Sequence, residues 1–167
     1  MAKEREYGDW QGKECSDKRG FVCSMNKQNS YDSTGMPNKY SCPTEKGYIP
    51  HGTACYKIFS DALIGHDQAK TNCRADQEGT MVYAGLATVW DVHDNELMHS
   101  MILEKDENKE KSYWLGLEVK NGDYNDWKWE DQHSYTYNNW ADGNPKGTIL
   151  NLIFLLPRWR VIKLIKV

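Results

Sequence analysis

Between Tyr113 and Pro145 the chain reads YWLGLEVKNGDYNDWKWEDQHSYTYNNWADGNP, with aromatic rings at short intervals among Gly, Asn and Asp. The rings gain free energy on burial, and the polar residues between them favour turns. This describes a long loop region pinned to a small core, which is where binding sites gather. Catalytic chemistry has no comparable support. The chain contains no GxSxG, HExxH or GxxxxGK[ST] sequence. His93, Glu96 and His99 fall at i, i+3 and i+6 of a helical stretch, which spreads them over more than one face and argues against zinc. Cys73 reads as a structural half-cystine before a nucleophile. The chain is therefore read as a binding protein and not as an enzyme.

The sequence has 167 residues, enough for one domain with additional segments, and a net charge of −3. That balance gives no indication of nucleic-acid binding. The charge is uneven, because residues 148–167 carry Arg158, Arg160, Lys163 and Lys166 and no acid. The N-terminus MAKEREYGDW has no apolar run of the kind a signal peptide needs. The longest apolar run, Leu152 to Leu156, is too short to span a bilayer. Five cysteines without a CxxC pair, with Cys15-x7-Cys23 and Cys42-x12-Cys55 among their spacings, suit an oxidising compartment better than a zinc ribbon. Together these features predict a piece of a longer secreted or cell-surface protein. No N-x-S/T sequon helps to place it.

The elements that must position the loop are legible in outline. Residues 1–23 end in the strand-like run RGFVC, and residues 24–41 have the Gly, Pro, Asn and Ser content of a linker. Cys42 to Cys55 encloses Gly47, Pro50 and Gly52, as a hairpin would, and Ala54 to Phe59 alternates like a strand. Gly65 precedes a helical stretch with His66, Ala69 and Cys73 on one face. A second helix starts at Asp91, which can cap it, with Asp94 in the first turn. Its apolar stripe is Leu97, Met98, Met101 and Ile102, read as core packing and not as a cofactor site. Glu104 to Lys111 reads as a solvated helix end, Tyr113 to Leu117 as a buried strand and Trp127 to Trp129 as another.

These marks, taken in order, resemble the C-type lectin-like domain over residues 42–147. Ala69-x3-Cys73 is similar to the family's first-helix motif, and Leu86-Ala87 precedes the second helix as it does there. Trp114-Leu115-Gly116-Leu117 resembles the central WIGL strand. Trp127-x-Trp129-x-Asp131, Asn139-Trp140 and Gly143-Asn144-Pro145 resemble the long-loop signature. The N-terminal segment resembles the end of such a domain, with Gly8-x-Trp10, Cys15 and Phe21-Val22-Cys23 in place of its two closing strands. The organisation implied is that of tandem-domain, mannose-receptor-like proteins. Residues 1–23 would be the tail of one domain, 24–41 a linker, 42–147 a truncated long-form domain, and 148–167 a basic apolar tail outside the family. The implied fold is α+β: two helices, a small antiparallel sheet and a long loop region.

The resemblance also implies disulfides and a ligand. Cys42 would pair with Cys55. If residues 1–23 fold back to supply the missing closing strands, Cys23 would pair with Cys73 and leave Cys15 outside any bridge; otherwise the segment is a remnant and Cys73 a free thiol. The result would be a circularly permuted domain, or a strand-swapped dimer if the strands exchange. Sugar-binding members of the family use calcium, which needs about six to eight oxygen ligands. The implied calcium residues are Asn144, Asp142 and Asp126, and the implied carbohydrate-binding residues are Asn144, Pro145, Asp142 and Trp140. Asp123 and Asn125 extend the same acidic loop, whose residue types also suit simple turns. Where the family carries a Glu-Pro-Asn or Gln-Pro-Asp triplet, this chain reads Asn144-Pro145-Lys146, so a cation replaces a ligand. Where it carries Trp-Asn-Asp on a closing strand, this chain reads Trp10-Gln11-Gly12. The expectation is glycan or glycoprotein recognition with impaired calcium dependence; the alternative is calcium-independent protein binding on the same fold. The basic tail has a composition that could lie on an anionic membrane, but it is read as exposed sequence outside the fold, without membrane contact.

Overall fold

The run RGFVCSMN joins bulky apolar side chains with a glycine and a cysteine, and it becomes the central strand of the main sheet. The computed structural model describes residues 8–26, 28–31, 37–77, 82–105, 111–119, 127–145 and 152–156. In chain order the strands are β1 (Asp9–Lys13), β2 (Arg19–Asn26), β3 (Gln28–Tyr31), β4 (Pro37–Ser41), β5 (Ile49–His51) and β6 (Ala54–Ile64). Helix α1 (His66–Ala75), β7 (Ala84–Leu86) and helix α2 (Val92–Lys105) follow, then β8 (Tyr113–Val119), β9 (Trp127–Trp129) and β10 (Leu152–Leu156). A 3-10 turn occupies Thr44–Lys46. The architecture is α+β.

Eight strands form one mixed sheet in the order β1-β10-β8-β2-β6-β5, with β7 also pairing β2 and β9 also pairing β8. The β3–β4 hairpin is a separate two-stranded sheet. The main sheet is larger than the small antiparallel one expected. It contains one parallel pair, β2 with β8, registered at Gly20↔Tyr113 and Phe21↔Trp114. That pair exists because the N-terminal strand inserts between two strands that come later in the chain. Gly20 makes the approach possible: a Cβ there would lie 2.6 Å from the Tyr113 ring and 2.8 Å from the Phe59 carbonyl oxygen. Gly116 does the same where β8 meets the end of β7: a Cβ there would come within 2.8 Å of the Leu86 carbonyl oxygen.

The segment after Gly147 departs from expectation. Leu152–Leu156 does not stay outside the fold. Its backbone pairs with β1 on one side and β8 on the other, with Gln11↔Phe154 and Phe154↔Trp114 in register. Five consecutive apolar residues suit a strand enclosed in this way. Residues 157–167 lie outside the described residues, and so does the expected exposure of the basic tail.

Helix α1 buries His66, Ala69 and Cys73, the face anticipated from their spacing. Cys73 is disulfide-bonded to Cys23 of β2, and Cys42 is bonded to Cys55 of β6. Cys15 takes part in neither bridge; its carbonyl accepts the His66 amide at 2.9 Å and so fixes the start of α1. Helix α2 begins as expected at Asp91, whose Oδ1 accepts the amides of His93 (2.8 Å) and Asp94 (3.0 Å). Asp94 reaches back to the Trp90 amide at 3.0 Å, a reciprocal arrangement close to a capping box. The core lies between α2 and the sheet around Met98, Met101, Ile102, Leu115, Leu117 and Val22. A second cluster under α1 holds Phe21, Cys23, Ala69, Cys73 and Trp114.

Candidate functional site

The long loop rests on an aromatic floor. Trp10 of β1 is fully buried and meets Trp129, Tyr137 and Trp140 edge-on, with ring centroids 5.9, 5.6 and 6.0 Å away. Edge-to-face contact sets the positive rim of one ring against the negative face of the next. Trp127 lies 5.0 Å from Trp140, and the Trp140 indole donates to the Tyr135 hydroxyl at 2.7 Å. The backbone repeats the link: the Trp10 amide donates to the Asn139 carbonyl (2.8 Å), and the Ala141 amide donates to the Trp10 carbonyl (2.9 Å). Trp140 is only 8% exposed, so its ring supports the loop from beneath.

Above this floor the chain turns at Asp142–Gly143, with Gly143 at φ 74°, a conformation that favours glycine. The Asn144 amide closes the turn on the Ala141 carbonyl at 3.0 Å, and the Asn144–Pro145 peptide is cis. Asp142 and Pro145 are exposed and Asn144 is half-buried. Asn144 Nδ2 donates to the Asp142 carbonyl at 3.4 Å. The structure thus brings Trp140, Asp142, Asn144 and Pro145 to one apex. Asp126, Asp123, Asn125 and Lys146 lie outside the described residues. On the neighbouring β1, Trp10 is followed by Gln11 and Gly12, which bring no carboxylate. Among the described residues no three His, Cys, Asp or Glu side chains are grouped to hold a metal ion. Asp142 is the single described carboxylate at the apex.

Two buried polar groups that hold the site together were not singled out from the sequence. Glu130, next to β9, accepts the Arg74 Nε at 2.7 Å and the Leu86 amide at 3.1 Å, so one carboxylate ties α1, β7 and the loop base. Burial pushes its carboxyl up from the ordinary value despite the neighbouring Lys70 and Arg74. Asn95 of α2 accepts the Trp10 indole N–H at 2.8 Å. The Gly8 carbonyl receives the amides of Asn95 (3.4 Å) and Asn139 (2.8 Å). The available signal for Asn95 was its place one turn before Met98 and two before Ile102, on the stripe that faces the core.

A second concave region lies away from the loop apex. A cleft of about 600 Å³ opens between the β5–β6 hairpin and the start of α2, lined by His51, Thr53, Tyr56, Trp90, Asp91 and Asp94 among others. Trp90 is 49% exposed there. Burial, helped by Asp94, Asp91 and Asp131, raises the Tyr56 phenol far above its ordinary range. Burial also raises the Asp94 carboxyl. No helix among the described residues is long and apolar enough to cross a membrane.

Comparison with known proteins places this geometry. The family model for the lectin C-type domain matches residues 64–149. Human lymphocyte antigen 75 is 25% identical over 141 residues, which cover 81% of this chain and 7% of that protein. The C-type lectin lectoxin-Lio3 of Erythrolamprus poecilogyrus is 30% identical over 117 residues, 70% of this chain and 66% of its own length. Human C-type mannose receptor 2 is 27% identical over 146 residues, 80% of this chain and 9% of the receptor. The chain thus spans less than a tenth of the length of the two large relatives, and about two thirds of the lectoxin. No solved structure gives a significant match. With the matched family model spanning α1, α2, the β8 strand and the aromatic loop, this chain belongs to the C-type lectin domain family.

Proposed function

We propose that this chain is a glycan-recognition module of a cell-surface or secreted tandem-domain protein, in which calcium-dependent binding is impaired. Family membership supports recognition as the function class, and binding rather than catalysis as the activity. The similarity to lymphocyte antigen 75 and C-type mannose receptor 2 supports the tandem, cell-surface setting. One observation carries the impairment: the apex Asp142–Pro145 offers one described carboxylate, and the adjoining strand follows Trp10 with Gln11 and Gly12. Residues Asn144, Asp142 and Pro145 remain the proposed contacts, with Trp140 as their support. In the same reading residues 1–23 are the closing strands of a preceding domain, reused here to complete the sheet.

A calcium-independent protein-binding role on the same fold is the second reading, favoured by the same shortage of anionic ligands. The two separate on immobilised mannose and galactose. Retention that EDTA leaves unchanged supports calcium-independent sugar binding, and retention abolished by EDTA overturns the impairment. Absence of retention on a broad glycan array favours the protein-binding role. Calorimetric titration with Ca2+ should show no saturable heat at millimolar ion, and tight binding would count against the donor argument directly.

A further inference from the structure

We propose that the cleft between the β5–β6 hairpin and the start of α2 is a docking pocket for an arginine side chain of a partner protein. This goes beyond the loop apex and uses none of its residues. The cleft has a volume of about 600 Å³, within the usual range for small-ligand pockets. Its wall combines aromatic surface with carboxylates: Trp90 presents about half its surface to solvent, and Asp91 and Asp94 stand beside it. Among the described residues no Lys or Arg lines it. Asp91 and Asp94 bring negative charge to its wall, and burial, then Asp94, Asp91 and Asp131, raises the Tyr56 phenol.

A planar guanidinium suits such a wall better than a compact ammonium. It can lie over an indole face while its N–H groups reach carboxylate oxygens. The two aspartates already serve the fold: Asp91 Oδ1 accepts two amides, Asp94 Oδ2 accepts the Trp90 amide, and Asp94 also accepts the Tyr56 hydroxyl and faces His51 Nε2 at 3.9 Å. A carboxylate has about four acceptor positions, so these bonds leave capacity for a ligand. They also hold the carboxylates in place before any ligand arrives, which lowers the ordering cost of binding. His133 lies tilted against Trp90, 3.9 Å between centroids with 54° between the ring planes, and is paired with Asp131 at 2.8 Å. The indole is thereby braced from one side. A neutral sugar would use the same indole but would draw nothing from the negative charge of Asp91 and Asp94. The charge of the pocket therefore favours the cation.

The test uses the whole chain at pH 8, with His51 and His93 also lining the cleft. The probe is the peptide acetyl-Gly-Arg-Gly-amide, and its control carries citrulline, the uncharged isostere of arginine. Saturable shifts of the Trp90 indole N–H and the Thr53 amide with the arginine peptide are expected, weakening with added salt. The citrulline peptide should bind about tenfold more weakly or not at all. Thr53→Lys places a cation at the mouth of the cleft on an exposed turn and should abolish the shifts while the circular dichroism spectrum stays unchanged. Trp90→Ala should weaken binding with the same check on folding. Equal binding of the citrulline peptide, unchanged binding by the Thr53→Lys variant, or a response only to neutral monosaccharides would each overturn the proposal. So would the absence of any saturable shift. None of these results depends on the loop apex, so the proposal can fail while the glycan reading stands.

Discussion

The Trp10 indole N–H donates a 2.8 Å hydrogen bond to Asn95 Oδ1, joining β1 to α2 across 85 residues of sequence. Both side chains are buried, with Asn95 at 1% exposure. The bond fixes the ring on which Trp129, Tyr137 and Trp140 pack, so α2 indirectly holds the floor of the long loop. Asn95→Ala would leave the indole N–H buried without its acceptor and remove a donor to the Gly8 carbonyl. The expected loss is about 1–3 kcal/mol in urea unfolding, the desolvation cost of an orphaned polar group. Asn95→Asp keeps an acceptor for the indole and is expected to lose less at pH 7 than Asn95→Ala. An Ala variant as stable as the parent would show that the bond has no role in stability.

The Cys23–Cys73 bridge spans 50 residues and the Cys42–Cys55 bridge spans 13. A cross-link restricts the unfolded chain more when the loop it closes is longer. Replacing Cys23 and Cys73 together by Ala is therefore expected to cost about 4 kcal/mol, and replacing Cys42 and Cys55 about 3 kcal/mol, by the chain-entropy model. Denaturation midpoints of the two double variants check the order. Equal losses, or a larger loss from the shorter loop, would indicate that native packing around the bridges outweighs chain entropy.

The sequence conveyed the local elements better than the long-range ones. The spacing of His66, Ala69 and Cys73, and of Met98, Met101 and Ile102, revealed which helical faces are buried, because a 3.6-residue period is a local property. Trp127-x-Trp129 likewise showed its alternation directly. The parallel pairing of β2 with β8 was not legible, since it depends on Gly20 leaving room for the Tyr113 ring, more than 90 residues away. Strand β10 was read as tail because its five apolar residues stand beside a basic segment and carry no family mark. Of the loop apex, the turn at Gly143 and the exposed Asp142 could be anticipated from residue type. The burial of Trp140 could not, because it follows from Trp10 arriving from the far end of the chain. Glu130 reads as an ordinary surface acid until Arg74 and Leu86 are placed around it.

Two buried titratable groups should give stability opposite dependences on pH. Burial raises the Glu130 carboxyl above its ordinary 4.5, so the folded state holds that proton more tightly than the unfolded state does. Its contribution is largest below 4.5 and is lost as the pH rises through the higher folded value. Burial lowers the His66 imidazole below its ordinary 6.5, with Lys70 acting in the same direction and Glu118 and Asp67 opposing. The unfolded chain then takes up the proton first, and the His66 contribution is present above 6.5 and lost as the pH falls. Glu130→Gln should therefore remove a gain on acidification, and His66→Phe should remove a loss. The phenyl ring can keep the edge-on contact that His66 makes with Trp114 at 5.6 Å. Urea unfolding of parent and variants between pH 4.5 and 7.5 measures both differences. A difference of the wrong sign in either variant would refute the assignment for that residue.

Strand β10 offers the sharpest test of the sheet order. Its backbone is paired on both edges, so the ladder between β1 and β8 exists only through it. Proline supplies no amide hydrogen and is confined to edges and bulges of sheets. Phe154, registered with Gln11 on one side and Trp114 on the other, is the position to change. Phe154→Pro should release β1 from the sheet and leave Trp10 held mainly by Asn95, the Asn139–Ala141 backbone and its ring contacts. Phe154→Thr alters the side chain while keeping the amide and should cost less. The expected readouts are a lower denaturation midpoint for the proline variant and faster amide exchange at Gln11 and Trp114. Deleting residues 148–167 should reproduce the effect, because it removes the same strand. Unchanged exchange at Gln11 in the deletion variant would mean that β1 joins the sheet by another route, since that variant lacks β10 altogether.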